Sequence, residues 1–96
     1  MKSYLKDLTN TDVVTIKLNS KEEIITRLSE ITENELLLRK PMCMIQTQSG
    51  VGMIPWIITG NPNHDIWLQT DSIMALVKTQ PDLASNYIES TTGLKL

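Results

Sequence analysis

The chain has 96 residues, 41% of them apolar, which is enough for one domain with one hydrophobic core and too few for a multidomain enzyme. Nine Lys and Arg against eleven Asp and Glu leave a net charge of −2, so no global positive field gathers nucleic acid or an anionic membrane, and any such contact must come from a local patch. One cysteine, Cys43, excludes an internal disulfide, and one histidine, His64, leaves too few soft ligands for a zinc site within a single chain, so neither metal nor cofactor is expected. No apolar run approaches the ~20 residues of a membrane span, and residues 1–10 lack the apolar core of a signal peptide, which points to a cytoplasmic protein with no membrane partner.

Tyr4, Leu5 and Leu8 share one side of a short helix over residues 1–10, which Asn10-Thr11-Asp12 ends. Val13 to Leu18 is rich in β-branched residues, with Val14, Ile16 and Leu18 on one face, and reads as a half-buried strand. Asn19-Ser20 follows as a two-residue turn. Glu22 to Ile31 is ambiguous. Ile24 and Leu28 have one parity and Ile25 and Ile31 the other, as in a long bent strand, but the same four residues also fit helical spacing.

Thr32-Glu33-Asn34 is a turn, and Leu36 to Gln46 is so densely apolar that both faces of this strand should be covered. Pro41 has no N–H to give a ladder, so it belongs at a bulge or an edge and bends the strand between Leu38 and Met42. Gln46 to Gly50 is a polar loop, Val51 to Thr59 a further strand that again contains a proline, Pro55, and Gly60-Asn61-Pro62-Asn63 a turn cluster. Asp65 to Gln69 resumes the strand, Thr70-Asp71-Ser72 is a tight connection, and Ile73 to Lys78 is the last strand. Thr79-Gln80 can cap a two-turn helix over 81–91, with Pro81 at its first position and Leu83, Tyr87 and Ile88 at helical spacing. Short helices flanking five or six short strands over 13–78, with no linker or repeat, describe one small antiparallel barrel domain spanning 1–96.

Ile66 to Leu76 (IWLQTDSIMAL), together with Val13 to Leu28 and its short turn, resembles the Sm-like (LSm) family. In that family an apolar strand, Arg-Gly, a small polar turn and a short apolar strand follow one another. Leu68, Gln69, Thr70, Asp71, Ser72 and Ile73 fall into that order, with Gln69 where the family has Arg and Thr70 where it has Gly. Thr26 stands where the family places a glycine that bends its second strand, and Thr32 and Asn34 are nearest to its Asp and Asn. Within the family the chain looks most like the divergent Sm-like proteins of marine phage, and it has no Tyr-Lys-His signature of the Hfq type.

The resemblance implies an all-β fold, a strongly bent five-stranded SH3-like barrel with short N-terminal and C-terminal helices, in which Glu22 to Ile31 is a bent strand. It implies a homo-oligomeric ring of about five to seven subunits, closed by pairing the fourth strand of one subunit with the fifth of the next. It also implies single-stranded RNA at the pore, held by the turns that carry Asn34, Gln69 and Thr70. Asn and Gln suit the edge of an unstacked base, but the Arg cation is missing and Glu33 and Glu35 repel phosphate.

Other residues have plainer readings. Trp56 and Trp67 sit in apolar strands and are expected in the core or at an interface rather than as base-stacking platforms. Arg39-Lys40, the only adjacent basic pair, is a candidate phosphate contact. Cys43 lies between methionines as an inert buried thiol, and a hydrolase built on Cys43 and His64 is the least favoured alternative. Tyr87 is expected to dock the C-terminal helix. The expected function is a non-enzymatic ring that binds single-stranded RNA, and the alternative is a structural or interaction ring, serving phage assembly or host takeover, with no nucleic acid.

Overall fold

The computed structural model describes residues 12–92, and the helix expected over 1–10 lies outside them. Two strands open the fold, β1 (Val13–Leu18) and β2 (Glu23–Ile31), paired antiparallel. Along β1, Val14, Ile16 and Leu18 are buried in strict alternation, as its β-branched pattern requires. The turn between them is Asn19-Ser20-Lys21, one residue longer than expected. The Leu18 N–H donates to the Glu22 carbonyl at 2.9 Å, and Lys21 takes φ 78°, the left-handed position that closes a three-residue hairpin. Residues 23–31 form a strand and not a helix, and their mixed parity has a simple cause. The ladder to the next strand shifts register between Ile25 and Arg27 and again between Leu28 and Glu30, so the strand can bury Ile24, Ile25, Thr26 and Leu28 while bending.

β3 (Glu35–Thr47) is the longest strand and the spine of the sheet. One side pairs with β2. The other side carries two short strands end to end: β5 (Ile66–Gln69) against Glu35–Leu38, and β4 (Gly50–Pro55) against Met42–Thr47. The strand expected to reach Thr59 stops at Pro55, because the Trp56 N–H makes the last bond, to the Pro41 carbonyl at 3.0 Å, and the chain then loops out until Ile66. Gly50 supplies the positive φ of 123° after the Gln48-Ser49 tip of the β3–β4 hairpin. A 3-10 turn, Thr70–Ser72, leads to β6 (Ile73–Lys78), which pairs with β1.

The strand order is therefore β4-β3-β2-β1-β6, with β5 beside β3. The expected barrel closure is not formed. The 3-10 turn carries the chain from the β3 side to the β1 side without a ladder joining the two ends, so β4 and β6 remain the outer strands of a bent antiparallel sheet. Its concave side holds Val14, Ile16, Leu18, Ile24, Leu28, Leu36, Leu38 and Leu68, with Cys43, Trp56, Ile73 and Leu76 packed around them. Each such aliphatic burial contributes about 1.5–3 kcal/mol. The expected two-sided cover of β3 is not formed: Leu36 and Leu38, on one face, are buried, Leu37 on the other is half-buried, and beyond Pro41 Met42 to Ile45 are half-buried.

The chain ends in α1 (Pro81–Thr92), three turns long and not two. Its first bond runs from the Ala84 N–H to the Gln80 carbonyl, with Pro81 at the first helical position, where its missing N–H costs nothing. Tyr87 docks this helix on the Pro41 bulge. Between the Ile25–Met42 and Arg27–Arg39 pairs, β2 has one residue and β3 has two, Lys40 and Pro41, with Lys40 at φ 51°. The ladder groups stranded there meet the fully buried Tyr87 hydroxyl. It accepts from the Arg27 N–H at 3.2 Å and lies 2.7 and 2.8 Å from the Arg39 and Lys40 carbonyls, to which it donates. The Thr26 hydroxyl donates to the same Arg39 carbonyl at 3.0 Å.

Tyr87→Phe should therefore cost about 1–3 kcal/mol in urea unfolding at pH 7, the penalty of leaving buried backbone groups unsatisfied. Burial holds the phenol above the ordinary tyrosine range, ahead of hydrogen bonding and nearby Arg charge, which pull the other way. A raised native value means that the folded state keeps its proton after the unfolded chain has lost it. The contribution is complete below about pH 10 and declines as pH rises from there, so the deficit of the Phe variant should shrink above pH 10.

Candidate nucleic-acid interface

The residues expected at a ring pore do come together. Asn34 ends the turn between β2 and β3, and Gln69 and Thr70 end β5 and begin the 3-10 turn. The Thr70 N–H donates to the Asn34 carbonyl at 2.9 Å, and the Thr70 hydroxyl donates to the same oxygen at 3.1 Å. The β2–β3 turn is itself locked, since Thr32 and Glu35 exchange a backbone bond and two bonds through the Thr32 hydroxyl. Their roles differ from the expected ones. Thr70 is 1% exposed and its hydroxyl is spent on Asn34, so it positions the two turns and cannot meet a ligand. Asn34 and Gln69 are exposed, and the Gln69 Nε2 donates to the Glu35 Oε2 at 2.7 Å, which fixes the amide so that its carbonyl faces away from Glu35. The cluster offers oxygen acceptors and carboxylates, and neither 32–35 nor 69–72 contains Lys or Arg. Acceptors suit base amino groups, while these two segments supply no cation of their own for a phosphate.

The candidate phosphate contacts Arg39 and Lys40 lie elsewhere, at the Pro41 bulge. The Arg39 guanidinium is half-exposed, 3.7 Å from Asp65 and 3.5 Å from the Ser29 hydroxyl. The Lys40 Nζ donates to the Thr91 carbonyl at 3.1 Å, a cation placed on the last turn of α1 where the helix dipole favours it. Among the described residues there is no group of three or more His, Cys, Asp or Glu side chains able to hold a metal, and no helix is long and apolar enough to cross a membrane.

Trp56 packs against the core as expected, whereas Trp67 is 48% exposed. The parity of β5 contains the reason: Leu68 turns inward to the core, so its neighbour turns out. Sequence reasoning treated the two tryptophans alike and so missed this difference. Cys43 packs at the core margin, hydrogen-bonded to the Met44 carbonyl, and does not line the cavities around His64. Burial pushes its thiol up, and the Glu22 charge pushes the same way.

Set beside known proteins, the chain matches no family model and no curated sequence.

Two outcomes test this geometry. Cys43 should react with iodoacetamide at pH 7 more slowly than free cysteine, and accelerate only on unfolding. Thr70→Val should lower stability by about 1–2 kcal/mol in urea melts, by leaving the Asn34 carbonyl one bond short.

Proposed function

We propose that this protein is a non-enzymatic, Sm-like ring-forming subunit. The observation that carries it is the pair of sheet edges left without a strand partner among the described residues. β4 and β5 share one outer edge along β3, and β6 forms the other, so a subunit offers two different edges for head-to-tail pairing. Large apolar side chains are exposed on both: Val51 and Ile54 along the first, Met74 and Val77 along the second. Pairing β6 of one subunit with the β4–β5 edge of the next supplies the strand-to-strand closure that a single chain lacks, and repetition of that step closes a ring and leaves no edge to aggregate. Taken as one strand interrupted by a loop, β4 and β5 complete the antiparallel five-strand order of the Sm-like fold, and the partial second motif from Leu68 to Ile73 agrees with it.

In such a ring the Asn34–Gln69 cluster faces the pore, where the two exposed amides read bases of single-stranded RNA. A ring without nucleic acid, serving as an assembly hub, is the second function, and a specific feature favours it: Glu35 engages Gln69, and neither 32–35 nor 69–72 contains Lys or Arg.

Native mass spectrometry of the protein purified without nuclease should give one multiple of the subunit mass, and Met74→Glu with Val77→Glu should give a folded monomer. A monomeric wild-type protein would sink the ring. If RNA binds at the pore, Asn34→Ala with Gln69→Ala should abolish binding of U-rich and A-rich oligonucleotides; retained affinity would move the site elsewhere.

A further inference from the structure

A second surface gathers the chemistry that the pore cluster lacks. Two cavities, of about 500 and 610 Å³, adjoin at the Pro41 bulge, and Lys40, Pro62, His64 and Asp65 line both. Together they form one groove under the loop between β4 and β5. The first cavity is walled by three prolines, Pro41, Pro55 and Pro62, with Ile57 and Ile66, and reaches the last turn of α1. The second is walled by Leu37, Arg39 and Trp67.

Register explains this gathering. Leu37 pairs with Trp67 across β3 and β5, and Arg39 lies two residues beyond Leu37 on the same face, as Asp65 lies two residues before Trp67. The 3.7 Å contact of Arg39 with Asp65 belongs to this face. An indole 48% exposed thus stands beside the only adjacent basic pair of the chain. Arg39 and Lys40 against Asp65 give the groove a positive balance on a molecule whose net charge is −2. Lys40 spends one of its three N–H donors on Thr91, and two remain.

We propose that this groove binds single-stranded nucleic acid, two successive nucleotides at a time. One base lies flat among the prolines, the next stacks on Trp67, and the phosphate between them meets Lys40 and Arg39 on the shared wall. Each cavity is of a size suited to a small-molecule group, and an aromatic face beside cations is the pairing that holds unpaired bases with little sequence preference. The groove belongs to one subunit, so it goes beyond the ring and does not depend on it.

The test is fluorescence anisotropy with labelled U12 and A12 RNA and with T12 DNA at low salt. Measurements are made on the wild type, on Trp67→Leu, Trp67→Phe and Lys40→Gln, and on the Asn34→Ala, Gln69→Ala pair, each checked for folding by circular dichroism. Trp67→Leu keeps apolar bulk but no ring, and should weaken binding roughly ten-fold or more, whereas Trp67→Phe should restore most of it. Lys40→Gln should weaken all oligomers alike and flatten the salt dependence by about 0.7 in slope, the signature of one lost phosphate contact. Equal affinity for RNA and DNA marks stacking as the source, and a preference for RNA adds recognition of the 2′-hydroxyl. Binding that survives Trp67→Leu but falls with the Asn34, Gln69 pair would overturn the groove and support the pore. Failure of every oligonucleotide to bind would overturn it as well, leaving the exposed Trp67 as a protein contact. The Met74→Glu, Val77→Glu variant separates this result from the ring, since a monomer should retain the groove.

Discussion

The bend of β3 at Pro41 governs the rest of the molecule. A proline in a strand removes a ladder donor, and the extra residue beside it strands the carbonyls of Arg39 and Lys40 and the N–H of Arg27. Such groups, buried and unsatisfied, would cost more than the bend could return. The Tyr87 hydroxyl serves all three and Thr26 reinforces one of them, so the bulge survives only because a residue about 45 positions further along the chain reaches back to it. The C-terminal helix is in this sense part of the sheet.

Because β3 bends there, it has two partners on its outer side and not one. β5 follows the first half and β4 the second, and the chain between them is free to arch away from the sheet. The arch, the kink and the last turn of α1 enclose the groove, and the Lys40 side chain joins two of these by meeting the Thr91 carbonyl. A feature that costs the sheet regularity thus creates a concave surface beside it. Functional chemistry often collects where local regularity has been given up.

Two surfaces with opposite electrostatics result. The Asn34–Gln69 cluster is rigid, rich in acceptors and acidic, with its geometry set by Thr70 and its amide oriented by Glu35. The groove is apolar and aromatic with a small excess of positive charge. A chain with net charge −2 cannot rely on long-range attraction, so nucleic-acid contact on either surface depends on stacking and hydrogen bonding at short range. The free edges of β4 and β6 are a separate matter, since they concern backbone pairing and the exposed apolar side chains that accompany it.

Most strands were legible in the sequence because alternation is a local property: Val14, Ile16 and Leu18 declare a face without reference to anything distant, and Pro41 announces a bulge by the N–H it lacks. The turn at Thr70 was legible locally, but its proximity to Asn34 only through a family pattern. What the tertiary structure alone decided depends on pairing between remote segments. Local periodicity left residues 23–31 between strand and helix, and the bulges against β3 let both parities be buried in the bent strand that the resemblance implied. The tertiary structure left the sheet open, since no local signal encodes whether its first and last strands meet. It also set Trp67 beside Arg39, because the pairing of β5 with β3 puts Leu37 opposite Trp67, and register is a relation between two segments that neither one carries by itself.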